Sequence, residues 1–180
     1  MLLTLFNEIP DFRRAQGKMY DLPHLLLFSV LAVLSGADSY RKVESFLTEH
    51  FKILKQKLEI KWKRPPGYTT IRYIIQGLDP SELEKAFRKY AQSLISLDPK
   101  KYMFINLDGK TVRGSFNHFQ DKKAVQIFSA FLANKNIILA HEKVTKNKRN
   151  EISVARKLFK ELGVKHCIFT LDALHCQKKQ

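Results

Sequence analysis

The chain has 180 residues, and its 32 Lys and Arg against 17 Asp and Glu give a formal net charge of +15 at pH 7. At 44% hydrophobic, with 13 Phe, it can build a core and is not a disordered tail. The cationic excess favours a polyanionic partner through phosphate neutralisation and counterion release, and two cysteines, Cys167 and Cys176, are too few for a disulfide scaffold and suit a reducing cytosol.

The first half reads as helical. Leu22 opens an apolar run, with Pro23 in the first turn, where its missing N–H costs little, and Gly36 ends it. The run covers about 14 residues, short of the ~20 that span a bilayer, and it follows the charged segment Asp11-Phe12-Arg13-Arg14 without a small-residue cleavage site. A buried core helix is therefore expected, with no membrane role and no signal peptide. Asp38 or Ser39 caps a second helix with Val43, Phe46 and Leu47 on one face. A third helical pattern runs from about Phe51 to Ile60, in a stretch made strongly positive by Lys52, Lys55, Lys57, Lys61, Lys63 and Arg64. Arg64-Pro65-Pro66-Gly67 breaks the pattern. Thr69 or Thr70 then caps a short helix with Ile71, Ile74 and Ile75. Asp79-Pro80-Ser81-Glu82 forms a capping box before a helix carrying Leu83, Phe87, Tyr90, Ala91 and Leu94. These last two helices could be a groove-reading helix-turn-helix or a packed helical hairpin.

Asp98-Pro99-Lys100-Lys101 marks a domain boundary, giving a helical domain over 1–98 and a second domain over 99–180. Beyond it the period becomes extended. Strands are expected at 102–108, about 124–132, about 137–144 and 166–172, with a hairpin turn at Asn134-Lys135-Asn136. A helix from Glu151 to Leu162, capped by Asn150 and stopped by Gly163, joins the third strand to the fourth.

This connectivity has a geometric consequence. If the first three strands form an antiparallel meander, the third runs parallel to the first. The crossover helix then makes the fourth strand parallel to both. The first and fourth strands each end on an acid, Asp108 and Asp172, so both acids lie at one edge of the sheet. On neighbouring strands they could share a divalent cation, with Mg²⁺ or Mn²⁺ suited to an oxygen donor set. Asp108 could equally make a turn with Gly109, and Asp172 could cap a helix.

Phe104-Ile105-Asn106-Leu107-Asp108-Gly109-Lys110-Thr111-Val112-Arg113-Gly114-Ser115 resembles the DGK-x-x-RGS signature of H-repeat-associated transposases, insertion-sequence enzymes of the DDE class. Asn150-Glu151-Ile152 and Asp172-Ala173-Leu174-His175-Cys176-Gln177-Lys178 are similar to two further segments of that family. Ile9-Pro10-Asp11-Phe12-Arg13-Arg14 resembles the start of its helical domain. The resemblance implies an α+β protein: an all-helical domain followed by an incomplete RNase H-like domain with a three-strand meander, a crossover helix and a parallel fourth strand. It also implies Mg²⁺- or Mn²⁺-dependent cutting and joining of transposon-end DNA, with Asp108 and Asp172 as the first two catalytic, metal-binding acids. The family's third acid, a glutamate on a later helix, would fall after Gln180. The expected state is therefore a truncated transposase, inactive alone, with weak or absent metal binding.

Lys110 and Arg113 follow the first acid and could hold phosphates, and Lys146, Lys148 and Arg149 form a second basic stretch for DNA or for solvent. The spacing of His166, Cys167, His175 and Cys176 does not fit a zinc finger. Expected partners are transposon-end DNA and a second copy or an intact transposase, in the bacterial cytoplasm at the nucleoid. The rival reading is a DNA-binding module without chemistry that competes with or represses an intact enzyme.

Overall fold

A computed structural model describes residues 1–95, 102–112, 125–144, 151–162 and 166–171. The chain divides into two compact units, Met1–Ala86 and Phe87–Gln180. The elements are α1 (Leu2–Phe6), a 3₁₀ turn (Ala15–Gly17), α2 (Leu22–Leu34), α3 (Tyr40–Lys57), α4 (Tyr68–Gly77), α5 (Pro80–Ser93), β1 (Met103–Thr111), β2 (Gln126–Leu132), β3 (Ile137–Val144), α6 (Glu151–Leu162) and β4 (Cys167–Thr170).

In the first unit α1 packs on α2, α2 on α3 and α3 on α4. Asp21 caps α2 by accepting the backbone N–H of His24, and Pro23 occupies the first turn. At the other end Ala37 N–H closes onto Ala32 C=O at 2.9 Å, with Gly36 at φ +94°, a conformation that favours glycine. By length and composition alone Ala15–Leu34 would suffice to cross a membrane. Within that span the 13-residue α2 buries Leu22, Leu25, Leu26, Phe28 and Ala32 in the core of the unit.

Two boundaries differ from the sequence expectation. The second and third helical patterns are one helix, α3, 18 residues long. Thr48-Glu49-His50 contains no breaker, and the Thr48 hydroxyl folds back onto Glu44 C=O at 2.9 Å without interrupting the ladder. The helix ends where Glu59 takes φ +51°. Likewise α4 starts at Tyr68, with Gly67 rather than a threonine in the capping position. At α5 the expected cap is present: the Asp79 carboxylate accepts Ser81 N–H at 2.9 Å and its hydroxyl at 2.8 Å. Glu82 instead engages Lys85, one turn on.

Two polar groups organise this unit from within. Arg13 is 5% exposed, and its guanidinium forks onto both Asp11 carboxylate oxygens at 2.8 Å and donates to Gly17 C=O at 3.2 Å. Trp62, 4% exposed, donates its indole N–H to Asp21 at 2.7 Å, so the residue that caps α2 also fixes the chain after α3. Tyr20 and Phe28 meet the Trp62 ring edge-on at 5.0 and 5.6 Å.

The second unit is a four-stranded sheet in the order β3-β2-β1-β4, with β1 parallel to β4 and the other pairs antiparallel. This is the expected meander, crossover and parallel fourth strand. Asn136, at φ +55°, turns the β2–β3 hairpin. The α6 residues Val154, Leu158 and Leu162, four apart, cover Ile105, Leu107, Phe128, Ala130, Leu132 and Leu139 on one sheet face. Glu142 and Glu161 are held by Lys157, and Arg88 near the end of α5 reaches Glu161 at 2.6 Å. The expected Asn150 cap and Gly163 stop lie outside the described residues.

The Arg13 hydrogen bonds hold the Asp11 carboxyl below its ordinary value of 3.8. A depressed folded-state pKa stabilises fully above the unfolded value and is lost as pH falls through the folded one. We therefore expect the melting midpoint of the helical unit to fall on acidification from roughly pH 5 to pH 2, with Asp11→Asn removing part of that slope. Arg13→Ala, which removes the guanidinium and leaves Asp11 with the backbone N–H of residue 13 at 3.1 Å and the Lys18 ammonium at 3.8 Å, should cost about 2–3 kcal/mol in a denaturant titration. A change within error of zero would mean that the pair is not structural.

Candidate functional site

Strand alternation sorts β1 into two faces. Met103, Ile105 and Leu107 enter the core under α6, while Phe104, Asn106, Asp108 and Lys110 project from the opposite face. On β4, Cys167 and Phe169 pack against the same core, and Ile168 and Thr170 belong to the open face. The parallel register pairs Met103 with Cys167, Phe104 with Ile168, Ile105 with Phe169 and Asn106 with Thr170. The Thr170 hydroxyl donates to the Asn106 side-chain carbonyl at 2.7 Å, a cross-strand contact on the open face.

Asp108 sits on that face, one side-chain repeat beyond Asn106. Its carboxylate is 59% exposed, and the Lys110 ammonium lies 3.4 Å away. Across the antiparallel pair it faces Ser129, which in turn faces His141 on β3. The strand does not stop at the acid as expected. Gly109, Lys110 and Thr111 continue the ladder opposite Phe128, Ile127 and Gln126, because β2 offers partners that far. Asp108 is thus mid-strand with respect to β2 and just past the last paired residue with respect to β4.

Among the expected site residues, Asp108 and Lys110 are brought together. Asp172, Arg113, Lys146, Lys148 and Arg149 lie outside the described residues. Among the described residues no group of three or more His, Cys, Asp or Glu gathers to hold a metal. The donors beside Asp108 on the open face, Asn106, Thr170 and Ser129, offer oxygen and suit a hard cation better than zinc. None of these three is marked as a site residue by the sequence alone. The available signal was an Asn two residues before the acid, an amide placed in an otherwise apolar strand. Cys167 is not part of the site: it packs against the core, and burial pushes its thiol upward.

A family model described as "DDE_Tnp_1-associated" matches residues 3–91, the helical stretch. "Putative transposase YncI" of Escherichia coli K12 is 33% identical over 178 residues, covering 98% of this chain and 70% of that protein. The chain belongs to the H-repeat-associated, DDE-type transposase family. "H repeat-associated putative transposase YbfD" from the same organism is 31% identical over 177 residues, covering 68% of its length. Against "H repeat-associated putative transposase YhhI", also of E. coli K12, identity is 31% over 177 residues and coverage is 46%, so the chain spans about half the length of such relatives.

With Cys176→Ser to leave one thiol, Cys167 should react with a thiol reagent at pH 8 at least roughly tenfold more slowly in the folded chain than in denaturant, because it is packed and its thiolate is disfavoured. Equal rates would show that β4 does not pack as described.

Proposed function

We propose that Asp108 and Asp172 are the first two acids of a site for metal-dependent phosphoryl transfer on transposon-end DNA. The observation that carries this reading is the parallel β1–β4 register, in which Asn106 and Thr170 are opposite each other. Asp108 comes two residues after Asn106 on the same face of β1, and Asp172 comes two residues after Thr170 in sequence. Mg²⁺ or Mn²⁺, when bound, supplies Lewis-acid activation of the attacking and leaving oxygens. The chain's own part is to supply carboxylate oxygens, with the Asn106–Thr170 contact tying β1 to β4 on the face that carries Asp108. Lys110, 3.4 Å from Asp108, balances its charge, and Lys110, Arg113, Lys146, Lys148 and Arg149 are proposed phosphate contacts.

Within residues 1–180 no carboxylate follows Asp172. By the family resemblance, strand cleavage also calls on a third acid, a glutamate on a later helix, and metal affinity without that acid is weak. A second reading, carried by the cationic excess alone, is that the chain binds DNA without chemistry and competes with or represses an intact transposase. We further infer a helical domain over 1–98 and a catalytic-type domain over 99–180, acting at the nucleoid in the bacterial cytoplasm without a membrane role. The four-residue β4 is an edge of the described sheet, an opening for association with a second copy or an intact transposase.

The test mixes the chain with an intact family transposase whose own first acid is mutated, transposon-end DNA and Mn²⁺. Cleavage restored by the wild-type chain, and lost with Asp108→Ala while DNA binding is unchanged, is the expected result. No rescue, with binding intact, would leave the competitor reading; rescue by Asp108→Ala would remove Asp108 from the site.

A further inference from the structure

The segment that follows α3 is built to present charge. Ile60, Trp62 and Pro66 are buried, while Lys61, Lys63 and Arg64 are exposed, so buried and exposed side chains alternate along a connection that has no regular secondary structure. Four contacts pin it. Trp62 donates to Asp21 at 2.7 Å, and its carbonyl accepts the Lys55 ammonium at 2.7 Å. Tyr20 donates to Pro65 C=O at 3.4 Å, and Ile60 N–H to Lys55 C=O at 3.1 Å. The basic side chains are thus carried by a fixed backbone rather than by a loose loop. Burial of Trp62 also removes the one ring in this segment that could stack on a base.

The charge here is unbalanced. Lys52, Lys57, Lys61, Lys63 and Arg64 are all exposed, and among the described residues none of them makes an ion pair, with Glu59 the sole acid in this stretch. Other basic side chains are paired, among them Lys42 at 2.7 Å from Asp38, Arg13 at 2.8 Å from Asp11 and Arg88 at 2.6 Å from Glu161, whereas here five exposed cations fall within thirteen residues of sequence. The partial negative charge at a helix C-terminus accounts for a lysine in the last turn of α3. It does not account for Lys61, Lys63 and Arg64, which come after the helix has ended.

We propose that the end of α3 and the pinned segment 60–66 form a phosphate-binding surface for duplex DNA, sequence-independent in character. A rigid row of unpaired cations with no exposed ring is suited to backbone contact, which positions a duplex without reading its bases. The inference rests on the DNA-directed reading above for the identity of the polyanion.

The test is fluorescence anisotropy of labelled duplex DNA with the full chain over a salt series. The triple variant Lys61→Gln, Lys63→Gln, Arg64→Gln should bind at least roughly tenfold more weakly and lose about 2.7 from the magnitude of the log–log salt slope, at ~0.9 per phosphate contact. A charge-matched control, Lys42→Gln, Lys85→Gln, Lys135→Gln, should lose less than about one, and Lys61→Arg with Lys63→Arg should retain binding. Emission from Trp62, the single tryptophan, should be unchanged in every variant, showing that the segment remains docked. A steep wild-type slope that the loop variant shares would overturn this surface and leave the DNA reading standing. No salt-sensitive binding of DNA by the wild-type chain would overturn both, and stronger binding of duplex RNA would overturn the choice of DNA.

Discussion

Parallel pairing of β1 with β4 is the constraint from which the functional reading follows. It comes about because a three-strand meander and one crossover helix leave a single direction for the fourth strand. Apolar alternation on β1 and β4 then fixes the face: Ile105, Leu107 and Phe169 must meet α6, so Asn106, Asp108 and Thr170 are turned outward. A one-residue slip would reverse every one of these assignments and would bury Asp108 among Phe128, Leu132 and Leu158. The hydrophobic core therefore sets the position of the polar face more firmly than any contact on that face does.

The helical unit is organised by polar groups turned inward. Asp21 serves two purposes, closing the first turn of α2 and holding the Trp62 indole, so the course of the chain after α3 depends on a helix cap some forty residues earlier in sequence. Arg13 plays a similar part for the segment before α2. A basic pair such as Arg13-Arg14 in a cationic protein invites a nucleic-acid role, yet only Arg14 is exposed; the Arg13 fork is spent on Asp11 and Gly17. Gly77 belongs to the same region, since a Cβ there would come within 2.2 Å of the Phe12 ring.

Much of this was legible in the sequence. The strand directions followed from element type and connection length, while the placing of β4 beside β1 was left open; the α5 start and the end of α2 were marked by Asp79, Pro80 and Gly36. Other boundaries were not. Charged, amphipathic residues between Leu47 and Phe51 neither break nor mark a helix, so α3 read as two pieces. Gly109 read as a stop for β1, although its ladder partner Phe128 carries the strand onward. The inward roles of Arg13 and Trp62 were hidden because they depend on partners that only the fold brings close. The Asn106–Thr170 contact was hidden for the same reason: the two residues are 64 positions apart.

The central proposal is that one cation can be held jointly by Asp108 of β1 and by Asp172, which follows β4 in sequence. Addition of Mn²⁺ to the isotopically labelled chain reports this by paramagnetic broadening, which detects even weak binding. The account predicts that amide signals around Asp108 and around Asp172 broaden together, and that Asp108→Asn abolishes the effect at both. Broadening confined to one of the two segments, or centred on other residues, would contradict it.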